Sequence, residues 1–259
     1  MKKLTYFTLS LLFITASCKS GEESEEQTNT ATPEKEEINL ADLEKLAGYP
    51  CNFISKELVV KYFDVKADEL EKNEYSPNKN KISWMDHCTF EWKKENFEEI
   101  EAKNQKIVME TMTNQNQNVK EIISKAKSVE SAYNKVGVGN LKIFENQEKA
   151  TTYFNNSHRV PTKEELEMLN KEIDKQGDKK GLTDDQKEMG KSMSEGVASK
   201  IAFESVSGLG DIAVWDVYSE RLDVLVGTFQ FGVIVHTSQG KEANIEKAKA
   251  IAKEIIEQL

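Results

Sequence analysis

A glycine-rich turn near the C-terminus is the segment of this sequence that comes closest to a chemical motif. Residues 208–213 read Gly-Leu-Gly-Asp-Ile-Ala and fit the G-x-G-x-x-A pattern of a dinucleotide-binding fingerprint. That fingerprint needs a strand before it and a helix after it, because amides at the helix N-terminus bind the pyrophosphate. Residues 214–218 favour a strand instead. We therefore interpret Gly208, Gly210 and Asp211 as a structural turn and expect no cofactor.

A second segment has the alternating ligands of a calcium-binding loop. Asp174, Gln176 and Asp178 occupy the places of the first three ligands of an EF-hand. That loop needs glycine at its sixth position, where it turns sharply, and usually a bidentate Glu at its twelfth. Lys179 and Asp185 stand at those positions. The pattern therefore predicts a break between two helices, and we expect no metal ion there.

The remaining titratable candidates are scattered along the chain. His87, His158 and His236 are far apart, and none lies beside a serine or cysteine in a catalytic pattern. The sequence contains no G-x-S-x-G elbow, H-E-x-x-H pair or P-loop. Paired glutamates are numerous, but on helices with this much charge they are typical of a solvated face. These observations predict a protein that is not an enzyme.

The tryptophans offer one further possibility. Trp84, Trp92 and Trp215 could line a ligand groove. Large aromatic side chains more often belong to a core or to a half-buried sheet, because they bury much apolar area. We expect that structural role for all three.

The first residues predict export. Two lysines precede an apolar run over residues 4–14, and small residues then lead to Cys18. This is the order of a signal peptide, residues 1–17, and the run is shorter than the ~20 residues that cross a bilayer. A cysteine at this place resembles the lipobox of bacterial lipoproteins, which implies cleavage and lipid on Cys18. The alternative is ordinary signal cleavage near Ser17.

Residues 18–37 predict a disordered tether behind the lipid. They are polar and charged, so they cannot bury enough apolar surface to offset the entropy of ordering. The acidic cluster at residues 22–26 resembles the signal that sends lipoproteins of Bacteroidota to the outer face of the outer membrane. A merely solvated spacer is the alternative. We expect a protein that is lipid-anchored to the outer membrane, on its periplasmic or surface-exposed face.

The charge balance excludes two classes of partner. The chain has 35 basic and 45 acidic side chains and a net charge of -10. Nucleic-acid binding needs Lys and Arg gathered against phosphates, and no such stripe is present. A polybasic segment for anionic lipid is also absent. We therefore expect no nucleic acid, and membrane attachment through lipid alone.

Cys51 and Cys88 remain once Cys18 is assigned to the lipid. Export places them where disulfides persist, and two cysteines are the number that pairs. A zinc site that includes His87 is an alternative, but no C-x-x-C spacing supports it. A catalytic cysteine is a second alternative. We predict the Cys51–Cys88 disulfide.

Hydrophobic periodicity predicts a single domain over residues 38–259. Helical spacing predicts helices over 38–47, 53–63, 97–112 and 147–154, and a C-terminal helix with Ile245 and Leu259 on its apolar face. Apolar and alternating runs predict strands over 81–93, 136–144, 201–206 and 212–218. Residues 119–132 fit either a helix or a strand. Strands followed by covering helices favour an α+β domain on an antiparallel sheet.

Two local signals sharpen this map. Thr162 with Glu165, and Thr183 with Gln186, have the spacing of capping boxes, so a charged helical hairpin is predicted over about residues 162–198. Alternating apolar residues then run over 222–235 and are interrupted by Gly227-Thr228. A two-residue turn with glycine first predicts a β-hairpin at that point.

Three segments carry a resemblance to a known group of proteins. They are Pro-Cys-Asn-Phe-Ile-Ser at 50–55, Cys-Thr-Phe-Glu-Trp at 88–92, and Val-Ser-Gly-Leu-Gly-Asp-Ile-Ala-Val-Trp at 206–215. They resemble a group of exported lipoproteins of Bacteroidota, and more loosely actinobacterial lipoproteins with an early cysteine and a late G-L-G-D-x-A turn. The resemblance implies a domain of unknown function with no established catalytic residues.

Together these features predict an envelope lipoprotein that binds a partner protein or a small ligand. One alternative is a hydrolase of envelope polymers, whose carboxylates would meet only on folding, ~5–9 Å apart. A second alternative is an accessory subunit that docks on a larger complex through the hairpin at 162–198.

Overall fold

One antiparallel sheet organises the part of the chain that the structure describes. The structure is a computed structural model, and it describes residue 43 and residues 49–113 and 128–259. The chain divides into two units, Met1–Glu36 and Glu37–Leu259, and every described residue belongs to the second.

Several predictions from the sequence fall outside the described residues. These are the signal peptide at 1–17, the lipidation of Cys18, the tether at 18–37 and most of the ambiguous stretch at 119–132. Of the helix predicted over 38–47, only Leu43 is described. Leu43 is helical and buried.

Seven strands form the sheet, in the order β1-β2-β3-β7-β6-β5-β4, and each neighbouring pair is antiparallel. Their bounds are Glu71–Tyr75 (β1), His87–Lys93 (β2), Tyr133–Ile143 (β3), Phe203–Ser205 (β4), Ile212–Asp216 (β5), Arg221–Val226 (β6) and Phe229–His236 (β7).

Six α-helices have described bounds. They are Lys56–Tyr62 (α1), Phe97–Thr113 (α2), Gln147–Ser157 (α3), Lys163–Lys179 (α4), Asp184–Ala198 (α5) and Lys241–Ile256 (α6). Short 3-10 turns lie at Pro50–Asn52 and Ala67–Glu69. The predicted α+β class is confirmed, and so is the charged helical hairpin, α4 and α5, ahead of the C-terminal strands. None of the described helices has the length and apolar character to cross a bilayer.

The two faces of the sheet carry separate apolar clusters. On the first face, alternate residues of the central strands, such as Leu222 and Phe231, pack with α6 in the main core. On the second face, Phe154 of α3 packs with Val214 and Leu225 in a smaller cluster. The strand period of two thus sends alternate side chains into different cores, because successive Cβ atoms point to opposite faces.

Capping residues set where several helices begin. Both predicted capping boxes are present: Thr162 with Glu165 opens α4, and Thr183 with Gln186 opens α5. Ser55 caps α1, because its side chain accepts a hydrogen bond from the amide of Leu58. This cap explains why α1 begins at Lys56, later than the periodicity predicts.

The structure departs from the sequence predictions at two strands. β1 was not expected, because all five of its residues are exposed and show no alternation of apolar and polar types. The strand predicted from residue 81 begins only at His87, because residues 83–86 form a turn closed by a hydrogen bond from the amide of Asp86 to the carbonyl of Ser83, 2.9 Å.

The glycine-rich turn joins β4 and β5 and packs on the β6–β7 hairpin. Gly208 and Gly210 have φ of 78° and 53°, a region that L side chains rarely adopt. The Asp211 amide donates to the carbonyl of Leu225 at 2.8 Å, and its carboxylate accepts from the amide of Gly227 at 2.6 Å. A strand, not a helix, follows this turn, so no helix N-terminus is present to bind a pyrophosphate.

The predicted pairing of Cys51 with Cys88 is present in the structure. Their sulfur atoms are 2.11 Å apart and close a loop with a sequence separation of 37. Cys88 lies on the core face of β2, and Cys51 lies in the 3-10 turn that precedes α1. The bond therefore ties the start of the domain to the sheet.

Removing this disulfide tests its contribution to stability. We expect the double variant Cys51→Ala/Cys88→Ala to lower the free energy of unfolding by about 4 kcal/mol, because the open loop gives the unfolded chain more conformational entropy. Urea unfolding followed by tryptophan fluorescence measures this difference. A loss below about 1 kcal/mol would contradict the entropic contribution expected for this loop.

A matched pair of glycine substitutions tests the turn. At Gly210 a Cβ atom would lie 2.5 Å from the carbonyl oxygen of Leu225, whereas at Gly196 in α5 it meets nothing within 4 Å. We expect Gly210→Ala to destabilise the fold by more than about 1 kcal/mol, and Gly196→Ala to stabilise it by up to about 1 kcal/mol. Thermal unfolding of both variants measures the contrast, and equal effects would contradict it.

Candidate functional site

The most deeply buried polar group on the second face of the sheet is the carboxylate of Asp223 in β6, with a side-chain exposure of 0%. Nε and Nη2 of Arg221 each donate to it at 2.8 Å. Nδ2 of Asn140 and Nε2 of His158 each lie at 2.9 Å. We name these four residues the Asp223 network. It joins β3, β6 and the end of α3.

A β-bulge and a glycine make this network possible. The pairing of β3 with β7 shifts register between Gly139 and Lys142, and Asn140 within the bulge has a φ of 53°. The bulge turns the amide of Asn140 toward β6, across the intervening strand β7. Gly232 of β7 lies next to the carboxylate of Asp223. A Cβ atom there would be 2.6 Å from Oδ1 of Asp223, so any side chain would displace the carboxylate.

The network is saturated, which argues against a role in proton transfer. All four donors point at one carboxylate, and the second ring nitrogen of His158, Nδ1, lies 2.7 Å from the carbonyl oxygen of Phe154. Both ring nitrogens of His158 therefore face oxygen atoms of the protein. With the side chain of His158 only 5% exposed, neither it nor Asp223 offers a free atom to a substrate. We interpret the network as structural.

Electrostatics agree with this interpretation. Burial acts to raise the pKa of Asp223, but the hydrogen bond from His158 and the charge and hydrogen bonds of Arg221 outweigh it, so its pKa lies below the usual value of 3.8. The same pairing holds the pKa of Arg221 above its usual range, against the effect of its burial. The buried charge is thus compensated inside the protein.

Asp223→Asn tests the network through its dependence on pH. The unfolded chain has the ordinary pKa, so the stabilisation is complete above about pH 4 and is lost as pH falls through the lower pKa of the folded state. We expect the free energy of unfolding of the variant to be about 3 kcal/mol lower than that of the wild type at pH 7, and this difference to become smaller below pH 4. Asp185→Asn, at an exposed site of α5, is the control. Chemical denaturation at several pH values measures both, and a gap independent of pH would contradict the assignment.

A cleft of about 940 Å³ lies between residues 77–85, ahead of β2, and residues 141–145, at the end of β3. We name it the Trp84 cleft. Ile82, Leu141 and Phe144 are mostly buried and form its floor, while Trp84 is 66% exposed and Met85 40% exposed. The cleft combines an apolar floor with two large apolar side chains that folding leaves in water.

Hydrogen bonds hold Trp84 on a braced turn. The carboxylate of Asp86 accepts from the amide of Ser83 at 2.9 Å, and the hydroxyl of Ser83 accepts from the amide of Met85 at 3.3 Å. Nδ1 of His87 lies 3.0 Å from the carbonyl oxygen of Met85, and its ring stacks on Tyr75. An exposed tryptophan on a rigid turn is a feature of binding surfaces, because little conformational entropy is lost when it is covered.

The charged side chains of the cleft are mostly lysines. Lys81 and Lys142 line it, and the ammonium group of Lys142 lies 3.4 Å from the centroid of the Tyr153 ring. Among the described residues that line the cleft, Glu145 is the only acid, and it forms an ion pair with Lys149 of α3. The cleft is therefore locally basic on a protein whose net charge is -10.

The structure separates the candidate residues that sequence analysis identified. Trp215 is buried in the core and Trp92 packs edge-on against Phe63, as expected. Trp84 is the exception, because it lines the cleft. His236 lies near Glu220, at 3.4 Å, on the exposed part of the second face.

The helical hairpin is held together by its own ion pairs. Lys187 bridges Asp178 and Asp184, and Lys191 pairs with Asp174. Asp174 and Asp178, which the calcium-loop pattern would make ligands, thus serve as ion-pair partners across the hairpin. Within the described part of the chain, no three His, Cys, Asp or Glu side chains cluster closely enough to hold a metal ion.

Sequence reasoning missed the Asp223 network. Its members are spread from Asn140 to Asp223, so only the folded topology brings them together. The available signal was Asp223 itself, a charged residue inside an apolar strand.

Comparison with known proteins adds no relative. No family model, no curated protein and no solved structure matches this chain. The resemblance to exported lipoproteins of Bacteroidota therefore stays a prediction.

Proposed function

We propose that this protein is a lipid-anchored lipoprotein of the cell envelope that binds a partner protein or a small ligand through the Trp84 cleft. The observation that carries the proposal is the 66% exposure of Trp84 on a turn braced by hydrogen bonds. Folding alone does not explain an indole held in water above an apolar floor. Binding does, because it would bury that indole.

The anchor is proposed from the sequence. A signal peptide at 1–17 ends at Cys18, and the tether at 18–37 would hold the domain clear of the lipid headgroups. In this arrangement lipid on Cys18 sets the location at the outer membrane, on its periplasmic or surface-exposed face, and the cleft sets the specificity.

The chemistry of the described residues favours binding over catalysis. The buried acid–histidine pair, Asp223 and His158, is saturated by its own partners. Glu145 stands as the single acid among the described cleft residues, whereas glycoside hydrolysis by paired carboxylates needs two. We therefore favour a non-enzymatic role.

A crosslinking experiment in intact cells tests the proposal with four forms of the protein: wild type, Cys18→Ser, Trp84→Ala and Tyr218→Ala. Tyr218 is 52% exposed but does not line the cleft, so it is the matched aromatic control. We expect one dominant partner with the wild type and with Tyr218→Ala. Its yield should fall at least about tenfold with Trp84→Ala, because truncating a central tryptophan typically weakens binding by 2 kcal/mol or more.

The variants separate the two halves of the proposal. Loss of membrane association in Cys18→Ser supports the anchor, and equal association of both forms overturns it. A partner recovered equally with Trp84→Ala and wild type would show that the cleft is not the binding site. If no partner is crosslinked, equilibrium dialysis against envelope extracts tests for a small ligand. Equal retention by wild type and Trp84→Ala would then overturn the proposal.

A further inference from the structure

One side of β3 is open where it borders the Trp84 cleft. β2 pairs with β3 only as far as Cys88 opposite Val138, but β3 continues to Ile143. Over this last part β7 pairs with β3 on its other side, through Lys142 and Ile143. Among the described residues, no strand pairs with residues 141–143 on the side that β2 has left.

The backbone groups on the open side point into the cleft. The amide of Phe144 donates to the carbonyl of Thr228 at 2.8 Å, which directs it toward the β7 side. Successive amides of a strand point to opposite sides, so the amide and carbonyl of Ile143 point away from β7. Ile143 lines the cleft. The cleft thus has a strand edge as one wall and the braced Trp84 turn as the other.

This edge differs from the two outer edges of the sheet. β1 is highly charged, and β4 has only three residues, and short or charged edges resist pairing with another chain. Apolar residues flank this open edge: Leu141 lies on β3, Phe144 follows the strand directly, and Ile82 lies across the cleft. It is therefore suited to accept a further strand.

We propose that the cleft binds an extended peptide segment of a partner protein, which adds as a strand to the open edge at residues 141–145, formed by the end of β3 and the two residues after it. This inference rests on the proposed binding role of the cleft. It specifies that the partner is recognised through an extended segment. In such complexes main-chain hydrogen bonds give affinity, and pockets for alternate side chains give specificity. Trp84 and Met85 cover alternate apolar side chains of the peptide.

Charge restricts the sequence of that segment. Lys81 and Lys142 line the cleft, and the carboxylate of Glu145 is occupied by Lys149. The matching peptide alternates apolar residues with Asp or Glu. A partner rich in lysine is disfavoured, because its charges would meet the two cleft lysines.

A random peptide library displayed on phage supplies the probe. Selection is made against the purified full-length protein in detergent, and each selected peptide is synthesised and measured by fluorescence anisotropy. We expect apolar–acidic alternation in the selected sequences. We also expect at least tenfold weaker binding to Trp84→Ala and unchanged binding to Tyr218→Ala.

Backbone methylation of the bound peptide distinguishes strand addition from side-chain docking. N-methylation at successive positions removes one amide donor at a time, so binding to an edge should be lost at every second position and retained at those between. Hydrogen exchange measured by mass spectrometry should show new protection within residues 139–146 when the peptide binds. Both results together support the proposal.

Three results would overturn it: no peptide whose binding depends on Trp84, methylation effects without a period of two, or no new protection at 139–146. Strong protection of that segment in the free protein would place another part of the same chain on the edge, and would also overturn it. If crosslinking of the cellular partner still depends on Trp84 but the effects of N-methylation do not alternate along the peptide, the proposed binding role is supported and strand addition is ruled out.

Discussion

The fold of this protein depends on hydrogen bonds to one carboxylate, that of Asp223, which has no access to water. Asp223 is fully buried, and an isolated buried charge would destabilise the fold by several kcal/mol. Its four hydrogen bonds come from β3, from its own strand and from the end of α3, so the compensation requires all three to be in register. The requirement is geometric as well as energetic, because no single element could supply these donors.

The same bulge that serves Asp223 also shapes the cleft. By inserting an extra residue at Asn140, β3 changes its course just beyond the last pair it makes with β2. The bulge turns the side chain of Asn140 toward the carboxylate of Asp223, and residues 141–145 form one wall of the Trp84 cleft. Gly232 completes the arrangement because it leaves room for the carboxylate between the strands. The buried Asp223 network and one wall of the cleft therefore depend on the same bulge.

Local signals in the sequence predicted local structure well. Both capping boxes and the Gly227-Thr228 hairpin are present as expected, because each depends on residues close together in the chain. β1 escaped prediction because an exposed, charged edge strand has no apolar period. The exposed position of Trp84 was not expected, because indole side chains occupy both cores and surfaces. The spacing of Ser83 and Asp86, which brace the turn, was the signal that could have identified it.

The charged composition of β1 affects how copies of this protein associate. Glu71, Lys72 and Glu74 place alternating charge along a strand whose outer edge is unpaired within the described part of the chain. Charged side chains along an unpaired edge hold water around its backbone groups, and a second strand would have to displace that water before it could pair. The charged edge therefore resists joining to the sheet of a neighbouring molecule.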